Sequence, residues 1–439
     1  MSENNRMNED STGNYHSARA EKIRAIREAV NAEENHPHTR RSAPTASGKT
    51  AKSKSHSSSK AKRKKKKKKT FGQSVRDLFP KKGDSVLEVI RKIVFMAAII
   101  AIIVCGYMVG DYYLDLWRSR MQYNEIADIY DTYDPDEESS KGTSSEFSPY
   151  DKYYTMLTAA KKLLDINDDI VGYMRIPTKD GDPIIELPVV QAEDNVKYLN
   201  LNFNGDESRS GALFLDWRNN FDKVKDHYLV EKNSDNLVVY GHNMADESMF
   251  GKLKYYQTDE KYYEKHPIIQ FNSNYETYSY KIFSIFVVDA FDESETKYDC
   301  WNHLVFNSEE EYYDFVNEAK RRTLRTNDVD VKYGDQILTL STCNYLLGDR
   351  SRLIIMARKV RSGEDLYAGT EKSKANKNIK WPSMYYVSKP NEKYDENAVF
   401  IPYGPEEAVK EAEKAAAAEK KDKEKKKEDK KKEEQKKED

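Results

Sequence analysis

Cysteine is scarce in this chain, with only three in 439 residues. Three cysteines exclude a disulfide scaffold, and one of them, Cys105, lies in an apolar run. The net charge is also close to zero, at −2, although 34% of the residues are charged. Hydrophobic residues make up 38% of the chain. Since the charged residues cluster towards both ends, the composition predicts one core domain with unstructured flanks.

The near-zero net charge hides a separation of charge along the chain. The first 92 residues hold 24 basic and 10 acidic residues, a net +14, which leaves −16 for the remaining 347. Residues 62–69 are eight consecutive Lys or Arg, and such a block repels itself and cannot build a core. It is therefore predicted to be disordered. A nucleic-acid-binding tail is one interpretation, but the segment that follows favours binding to the inner membrane surface.

Residues 93–110 carry no charge and just reach the length that crosses about 30 Å of hydrocarbon. A cleaved signal peptide would lie nearer the N-terminus, and a buried core helix is the other alternative. Basic residues precede the segment and acidic residues follow it: Lys81, Lys82, Arg91 and Lys92, then Asp111 and Asp115. The positive-inside rule predicts a single-pass protein of the cell membrane with a cytoplasmic N-terminus and everything after residue 114 outside the cell.

Beyond residue 166 the pattern changes to short runs rich in β-branched and aromatic residues. Eight runs predict strands, at 171–177, 184–190, 211–216, 236–242, 268–271, 278–291, 335–343 and 352–360. Short strands at this spacing predict an antiparallel barrel or sandwich. Helices are predicted at 114–130, at 150–164 and at 308–325, where Ser308 and Glu311 form a capping box.

These patterns divide the chain into five segments. They are a basic tail at 1–92, a transmembrane helix at 93–113, a helix with an acidic linker at 114–148, a β-rich domain at 149–362, and an extension with a Lys/Glu-rich tail at 363–439. Residues 405–439 hold 13 Lys and 13 acidic residues, which predict either an exposed single helix or a disordered segment.

Three residues near predicted strand ends indicate nucleophilic catalysis. Cys343 ends a strand, where a thiol is accessible, although a lone cysteine is more often a small buried hydrophobe. His242 follows an apolar strand and a glycine, and a thiol needs such a base to react at neutral pH. Arg352 begins the strand after Cys343, so an antiparallel pair would bring the two side by side. Arg350 is the alternative to Arg352, and Cys300 is predicted to be structural.

These residues stand in motifs that resemble those of a class B sortase. The motifs are Thr339-Leu340-Ser341-Thr342-Cys343, matching Thr-Leu-x-Thr-Cys, then Gly241-His242, and Arg352-Leu353-Ile354-Ile355 at the start of the next strand. The segments 167–173, 188–191, 240–244, 249–253 and 266–267 also look like class B. The resemblance covers residues 150–360, and the order and spacing of the motifs make it specific.

The resemblance implies a closed eight-stranded β-barrel with N-terminal helices and a helix inserted between late strands. It also implies a transpeptidase of a Gram-positive cell. Cys343 would attack the Thr carbonyl of an NPxTx-like C-terminal sorting motif, His242 would move the proton, and Arg352 would stabilise the oxyanion. The implied partners are surface proteins bearing sorting signals and an amine of the peptidoglycan precursor lipid II.

The sequence also predicts substrate contacts and leaves alternative functions open. Substrate contacts are predicted for Asn243, Ser341 and Thr342, and neither a cofactor nor a metal is expected. An L,D-transpeptidase usually has an arginine two residues after its cysteine, whereas here residue 345 is Tyr and the next arginine is Arg350. A hydrolase, with water resolving the thioester, uses the same residues. A non-catalytic membrane-anchored scaffold, whose barrel only binds peptide, is the remaining alternative.

Overall fold

A β-barrel with helices on its outside makes up most of the described chain. The computed structural model describes residues 78–131, 150, 152–292, 298–419 and 421. The helices are α1 (Val86–Asp131), α2 (Thr158–Leu164), α3 (Tyr255–Thr258), α4 (Tyr262–Lys265), α5 (Glu309–Arg322) and α6 (Ser383–Ser388), with short 3-10 helices at Lys197–Leu199 and Gly251–Lys254. A further helical stretch covers residues 406–419.

The strands alternate with these helices and with short loops. They are β1 (Ile170–Thr178), β2 (Gly181–Val190), β3 (Leu213–Leu215), β4 (Val224–Lys225), β5 (Tyr228–Leu229), β6 (Asn236–Tyr240), β7 (Ile268–Ser273), β8 (Ser279–Asp289), β9 (Arg325–Thr326), β10 (Ile337–Cys343), β11 (Leu346–Asp349), β12 (Ser351–Lys359) and β13 (Lys374–Ala375). Two small sheets, β4–β5 and β9–β13, accompany the barrel.

Eight strands close the barrel in the order β1-β2-β3-β6-β10-β12-β8-β7. These are the eight strands predicted from the sequence, so the predicted barrel is confirmed. The expectation of antiparallel pairing is wrong for two pairs, because β2 runs parallel to β3 and β6 runs parallel to β10. A parallel pair needs a long crossover connection, and residues 241–336 provide it between β6 and β10.

Two hydrophobic clusters hold the barrel and its inserted helix. One fills the barrel, with buried side chains that include Val239, Leu340, Leu353 and Ile355. The other joins β8, β10 and β12 to α5, with buried side chains that include Phe286, Phe315, Val316, Ile337 and Ile354. Ser308 caps α5 as predicted, since its Oγ accepts from the backbone N of Glu311 at 3.1 Å. The Glu311 carboxylate accepts instead from the backbone N of Asn307, so the box is not fully reciprocal.

Helix α1 runs without interruption through the predicted membrane segment and the predicted helix after it. An apolar 18-residue window in α1 is long enough to cross a membrane and buries none of its residues in the protein, which makes it a candidate membrane span. The last third of α1 lies against the barrel through one face: Leu116, Ser119, Tyr123, Ile126, Ala127 and Tyr130. The ring of Tyr130 stacks on Tyr173 with 3.7 Å between ring centroids.

Helix α2 begins at Thr158, so the prediction of a helix from residue 150 is wrong. The backbone before it is bonded to loops of the barrel instead: Tyr154 N donates to His227 O at 2.8 Å and Leu157 N to Asn274 O at 2.9 Å. These bonds hold the segment extended, and a helix cannot form over it. Residues 132–148 of the predicted linker, the basic tail to residue 77, and residues 422–439 of the Lys/Glu-rich tail lie outside the described residues.

A buried ionic cluster fastens the chain that follows the last barrel strand. Lys281 on β8 and Arg358 on β12 are both 0% exposed. Both donate to the carboxylate of Glu364, at 2.6 Å from Lys281 Nζ and at 2.6 Å from Arg358 Nη1. The hydrogen bonds from Arg358 and Lys281 hold the pKa of Glu364 well below its usual value. The segment beyond residue 362 is therefore packed on the barrel.

We expect Glu364→Gln to lower the free energy of unfolding by about 3 kcal/mol, because the buried Lys281 loses its carboxylate partner and Arg358 keeps only its pairs with Asp330 and Asp335. Urea denaturation of the full chain in detergent measures this change. Since the pKa of Glu364 is lowered by folding, the wild-type advantage should hold above the usual glutamate pKa of about 4.3 and fade as the pH falls below it.

Glu231→Gln is the matched control, because Glu231 pairs with Lys223 on the surface, where both side chains are about half exposed. It should change the free energy of unfolding by less than about 1 kcal/mol. Equal stability of the two variants would contradict a structural role for the buried cluster.

Candidate active site

Three neighbouring strands end at one edge of the barrel and bring the predicted residues together. Ser341 on β10 pairs with Tyr240 on β6, and Cys343 pairs with Arg352 on β12. His242 follows Tyr240 by two residues, so the parallel register carries it to the level of Cys343. His242, Cys343 and Arg352 line one cavity of about 400 Å³. Cys343 and Arg352 therefore lie side by side, as the sequence predicted.

The two cysteines of the barrel have opposite surroundings. Cys343 is partly exposed at the end of β10, whereas Cys300 is fully buried in the hydrophobic cluster under α5. Neither forms a disulfide. The rest of the cavity wall is largely aromatic and aliphatic, and it includes Leu199, Phe214, Tyr240 and Trp301. A thiol at the edge of such a cavity can meet an extended peptide.

The imidazole of His242 is held by the backbone. Its Nε2 lies 2.8 Å from the carbonyl oxygen of Leu199. Since a carbonyl can only accept, Nε2 carries the proton in this arrangement. Close packing explains why the residue before His242 is a glycine. A Cβ on Gly241 would lie 2.4 Å from Leu213 Cδ2 and 2.7 Å from Phe250 Cδ2. Only glycine lets the chain pass here and turn His242 towards the cavity.

The structure distinguishes the two arginines that sequence spacing left open. Arg352 lines the cavity, and its Nη1 donates to the backbone carbonyls of Asp349 at 2.8 Å and Ser351 at 3.0 Å. Arg350 lies on the neighbouring turn and forms an ion pair with Asp289 at 2.9 Å. Its Nη2 also donates to the carbonyl of Phe291. Arg352 is thus the guanidinium next to Cys343.

The three predicted substrate contacts are bonded to other parts of the protein. Asn243 Nδ2 donates to the backbone carbonyl of Cys343 at 2.9 Å. Ser341 and Thr342 line the cavity, but both are nearly buried. The Ser341 hydroxyl accepts from Trp301 Nε1 at 3.1 Å, and the Thr342 hydroxyl donates to the carbonyl of Gly241 at 2.8 Å. These bonds fix the end of β10 against its neighbours.

A buried carboxylate supports the cavity wall from behind, and sequence reasoning missed it. Asp216 is fully buried and accepts from Tyr240 Oη at 3.0 Å, Asn195 Nδ2 at 2.9 Å and the guanidinium of Arg218 at 2.9 Å. Burial alone would raise the pKa of Asp216, but the hydrogen bonds from Arg218 and Asn195 hold it below its usual value. Burial and the nearby Asp216 raise the pKa of Tyr240, so its hydroxyl remains a donor.

Trp301 is the other wall residue that the sequence did not reveal. It lies in the loop between β8 and α5 and reaches Ser341 across 40 positions. A tryptophan in a loop carries no motif, so no local signal could have found it. Within the described part of the chain, no three His, Cys, Asp or Glu side chains lie together in a way that could hold a metal ion.

Comparisons with known proteins point to one family. The family model for the sortase domain matches residues 217–360. Sortase B of Staphylococcus aureus (strain NCTC 8325 / PS 47) is 27% identical over 268 residues, which are 61% of this chain and 95% of the relative. Sortase B of Listeria monocytogenes serovar 1/2a is 30% identical over 201 residues, 46% of this chain and 73% of the relative. The crystal structure of sortase B from B. anthracis in complex with AAEK1 is 30% identical and covers 57% of this chain and 99% of its own, with a TM-score of 0.43.

The barrel, the cysteine at its edge and these relatives define a cysteine transpeptidase. The chain belongs to the sortase family and is a class B sortase. Such enzymes act on substrate proteins that carry sorting signals and join them to an acceptor of the cell wall. The predictions of a sortase and of an enzyme are confirmed, and the L,D-transpeptidase and scaffold alternatives are set aside.

Proposed function

We propose that this sortase cleaves an NPxTx-like motif after its threonine and transfers the protein to an amine of lipid II. The pairing of Cys343 with Arg352, beside His242 in one cavity, is the observation that carries the proposal. The motif itself is suggested by the resemblance to class B sortases. The proposed domain boundaries are those given above, with the membrane span at 93–113 and the catalytic domain at 149–362.

Cys343 is the proposed nucleophile. Its thiolate attacks the threonine carbonyl, and a tetrahedral oxyanion forms. Collapse of this oxyanion breaks the peptide bond after threonine and leaves a thioester on Cys343. The acceptor amine then attacks the thioester, a new amide bond forms, and the Cys343 thiolate leaves. One peptide bond is broken and one is made, so no external energy source is needed.

His242 is the proposed proton carrier for both halves of this reaction. It protonates the departing amine in the first half and takes a proton from the incoming amine in the second. Since Nε2 is committed to the carbonyl of Leu199, the proton is exchanged at Nδ1. The backbone bond also fixes the ring plane, which favours transfer along one direction.

Arg352 is the proposed oxyanion-stabilising group. A guanidinium has five N–H donors, and the carbonyls of Asp349 and Ser351 accept only from Nη1. The remaining donors can bind the negative oxygen of the tetrahedral intermediate. A fixed donor of this kind acts on the transition state more than on the bound substrate.

The membrane helix supports an acceptor at the membrane surface. From Gly110, where the apolar segment ends, to Tyr123, which contacts the loop beside His242, the helix rises about 20 Å. The site would then stay near the membrane surface, where a lipid-linked precursor is also held. With the basic residues before the span, this arrangement supports a cytoplasmic N-terminus and an extracellular barrel.

The proposed reaction is tested with a fluorogenic NPxTx peptide and the full chain in detergent. We expect cleavage after threonine, an acyl adduct on Cys343 by mass spectrometry, and an amide product when a glycine-based amine is added. Cys343→Ala should abolish cleavage, whereas Cys300→Ala, the matched control, should keep it because Cys300 is buried outside the cavity. Cleavage by Cys343→Ala, or an adduct on Cys300, would rule out the proposed nucleophile. Hydrolysis alone in the presence of amine would instead indicate a hydrolase.

Arg352→Lys should lower kcat for the same peptide by about 100-fold, because a lysine cannot keep the planar donor geometry at the oxyanion. KM should change far less, since the interaction forms in the transition state. Arg350→Lys, on the same turn but paired with Asp289, should remain close to wild type. Equal losses in both variants would contradict the assignment of Arg352.

The proposed topology predicts the behaviour of reporter fusions. Alkaline phosphatase, which is active only after export, should be active when fused to the C-terminus and inactive when fused to the N-terminus. Replacing the basic residues before the span, Lys81, Lys82, Arg91 and Lys92, by glutamine should lower the activity of the C-terminal fusion, because they hold the N-terminus inside. An active N-terminal fusion in the unchanged chain would overturn the topology.

A further inference from the structure

We propose that Tyr123, a buried side chain of helix α1, is a positioning residue for His242. This inference rests on the role of His242 in the proposed function. Tyr123 is 6% exposed and lies between α1 and the loop that joins β2 to β3, residues 191–212. It belongs to the face of α1 that is packed on the barrel.

The hydroxyl of Tyr123 ties two backbone groups of this loop together. It donates to the carbonyl oxygen of Gly211 at 2.8 Å and lies 3.3 Å from the backbone N of Phe203, from which it accepts. One side chain thus holds both ends of the segment 203–211. Burial raises the pKa of Tyr123 above its usual value, so the hydroxyl stays protonated at neutral pH and continues to donate.

The same loop holds the imidazole of His242. The carbonyl of Leu199 accepts from Nε2, and Ala212 N donates to the carbonyl of Tyr198 at 3.1 Å, which closes the loop on itself. Gly211 lies against the ring edge, because a Cβ there would be 3.2 Å from His242 Cδ2 and 2.5 Å from Tyr198 O. Its φ of +58° is a left-handed conformation that glycine adopts without strain.

The bonds form a short chain from the helix to the imidazole. Tyr123 holds Gly211, Gly211 lies beside the ring edge, and Leu199 in the same loop binds Nε2. A shift of the loop therefore shifts the ring relative to Cys343. Misplacement of a reacting group by about 1 Å can cost on the order of 100-fold in rate.

Two other residues of α1 contact the chain on both sides of His242. Gln122 Oε1 accepts from Asn202 Nδ2 at 2.8 Å, in the β2–β3 loop. Arg120 forms an ion pair with Asp246 at 3.2 Å, four residues after His242. Helix α1 therefore contacts both the β2–β3 loop that binds His242 and the segment that follows His242 in the sequence.

Tyr123→Phe tests this inference, because it keeps the ring and removes only the hydroxyl. We expect kcat for the fluorogenic NPxTx peptide, measured with the full chain in detergent, to fall about tenfold while KM changes by less than about twofold. The reason is that a displaced loop misaligns proton transfer but leaves the peptide-binding wall in place. A purely structural role would lower stability without separating kcat from KM.

Tyr130→Phe is the matched control on the same face of the same helix. It removes a hydroxyl that is also buried and that accepts from Asn272 Nδ2 at 2.9 Å, on a strand outside the cavity wall. We expect its thermal unfolding temperature to fall while kcat stays at the wild-type value. Equal kcat in the two variants, or a raised KM with unchanged kcat in Tyr123→Phe, would overturn the inference.

A second variant covers the case in which Tyr123→Phe does not fold. Gln122→Ala removes the less buried contact to the same loop and should lower kcat about threefold. No change in kcat would count against the inference. Failure of the wild-type chain to cleave the peptide, or cleavage by Cys343→Ala, would contradict the proposed function instead, so the two failures are distinguishable.

Discussion

The pairing of strand β10 on both of its sides is the constraint on which the site depends. β10 is bonded in parallel to β6 and antiparallel to β12. Because side chains alternate along a strand, a one-residue slip in either pairing would turn Cys343 to the other face. The parallel pair carries His242 to the same edge as Cys343, and the antiparallel pair brings Arg352 there. Groups far apart in sequence thus share one cavity through main-chain register.

The ionic cluster at Glu364 helps to fix the position of β12, although it lies at the other end of that strand from Arg352. Lys281 belongs to β8 and Arg358 to β12, and these two strands are paired in the barrel. A buried ion pair contributes little net stability, but separating its partners is costly. Glu364 follows β12 in the chain, so a shift of β12 along β8 would pull Glu364 away from Lys281. The cluster therefore resists movement of β12, the strand that carries Arg352, along β8.

Local patterns in the sequence were sufficient to predict the eight strands, the Ser308 cap of α5, and the position of Cys343 and Arg352 at strand ends. The parallel pairing of β6 with β10 was not predictable, because each strand is an apolar run that fits either direction. Trp301 and Tyr123 were missed for a related reason. Their hydrogen-bond partners, Ser341 and Gly211, lie 40 and 88 positions away, and no local pattern links them. The predicted start of α2 was wrong because backbone hydrogen bonds to distant loops override helix propensity.

The continuous helix α1 also changes how the enzyme meets its substrates. A flexible tether would let the barrel tumble, whereas α1 is continuous and packed on the barrel. If the apolar part of α1 crosses the bilayer as proposed, the barrel is free mainly to spin about the helix axis and to diffuse within the membrane plane. Collisions with the proposed lipid-linked acceptor would then follow the number of acceptors per unit area of membrane rather than their concentration in a volume. The proposed transpeptidation would in that sense be a surface reaction in two dimensions.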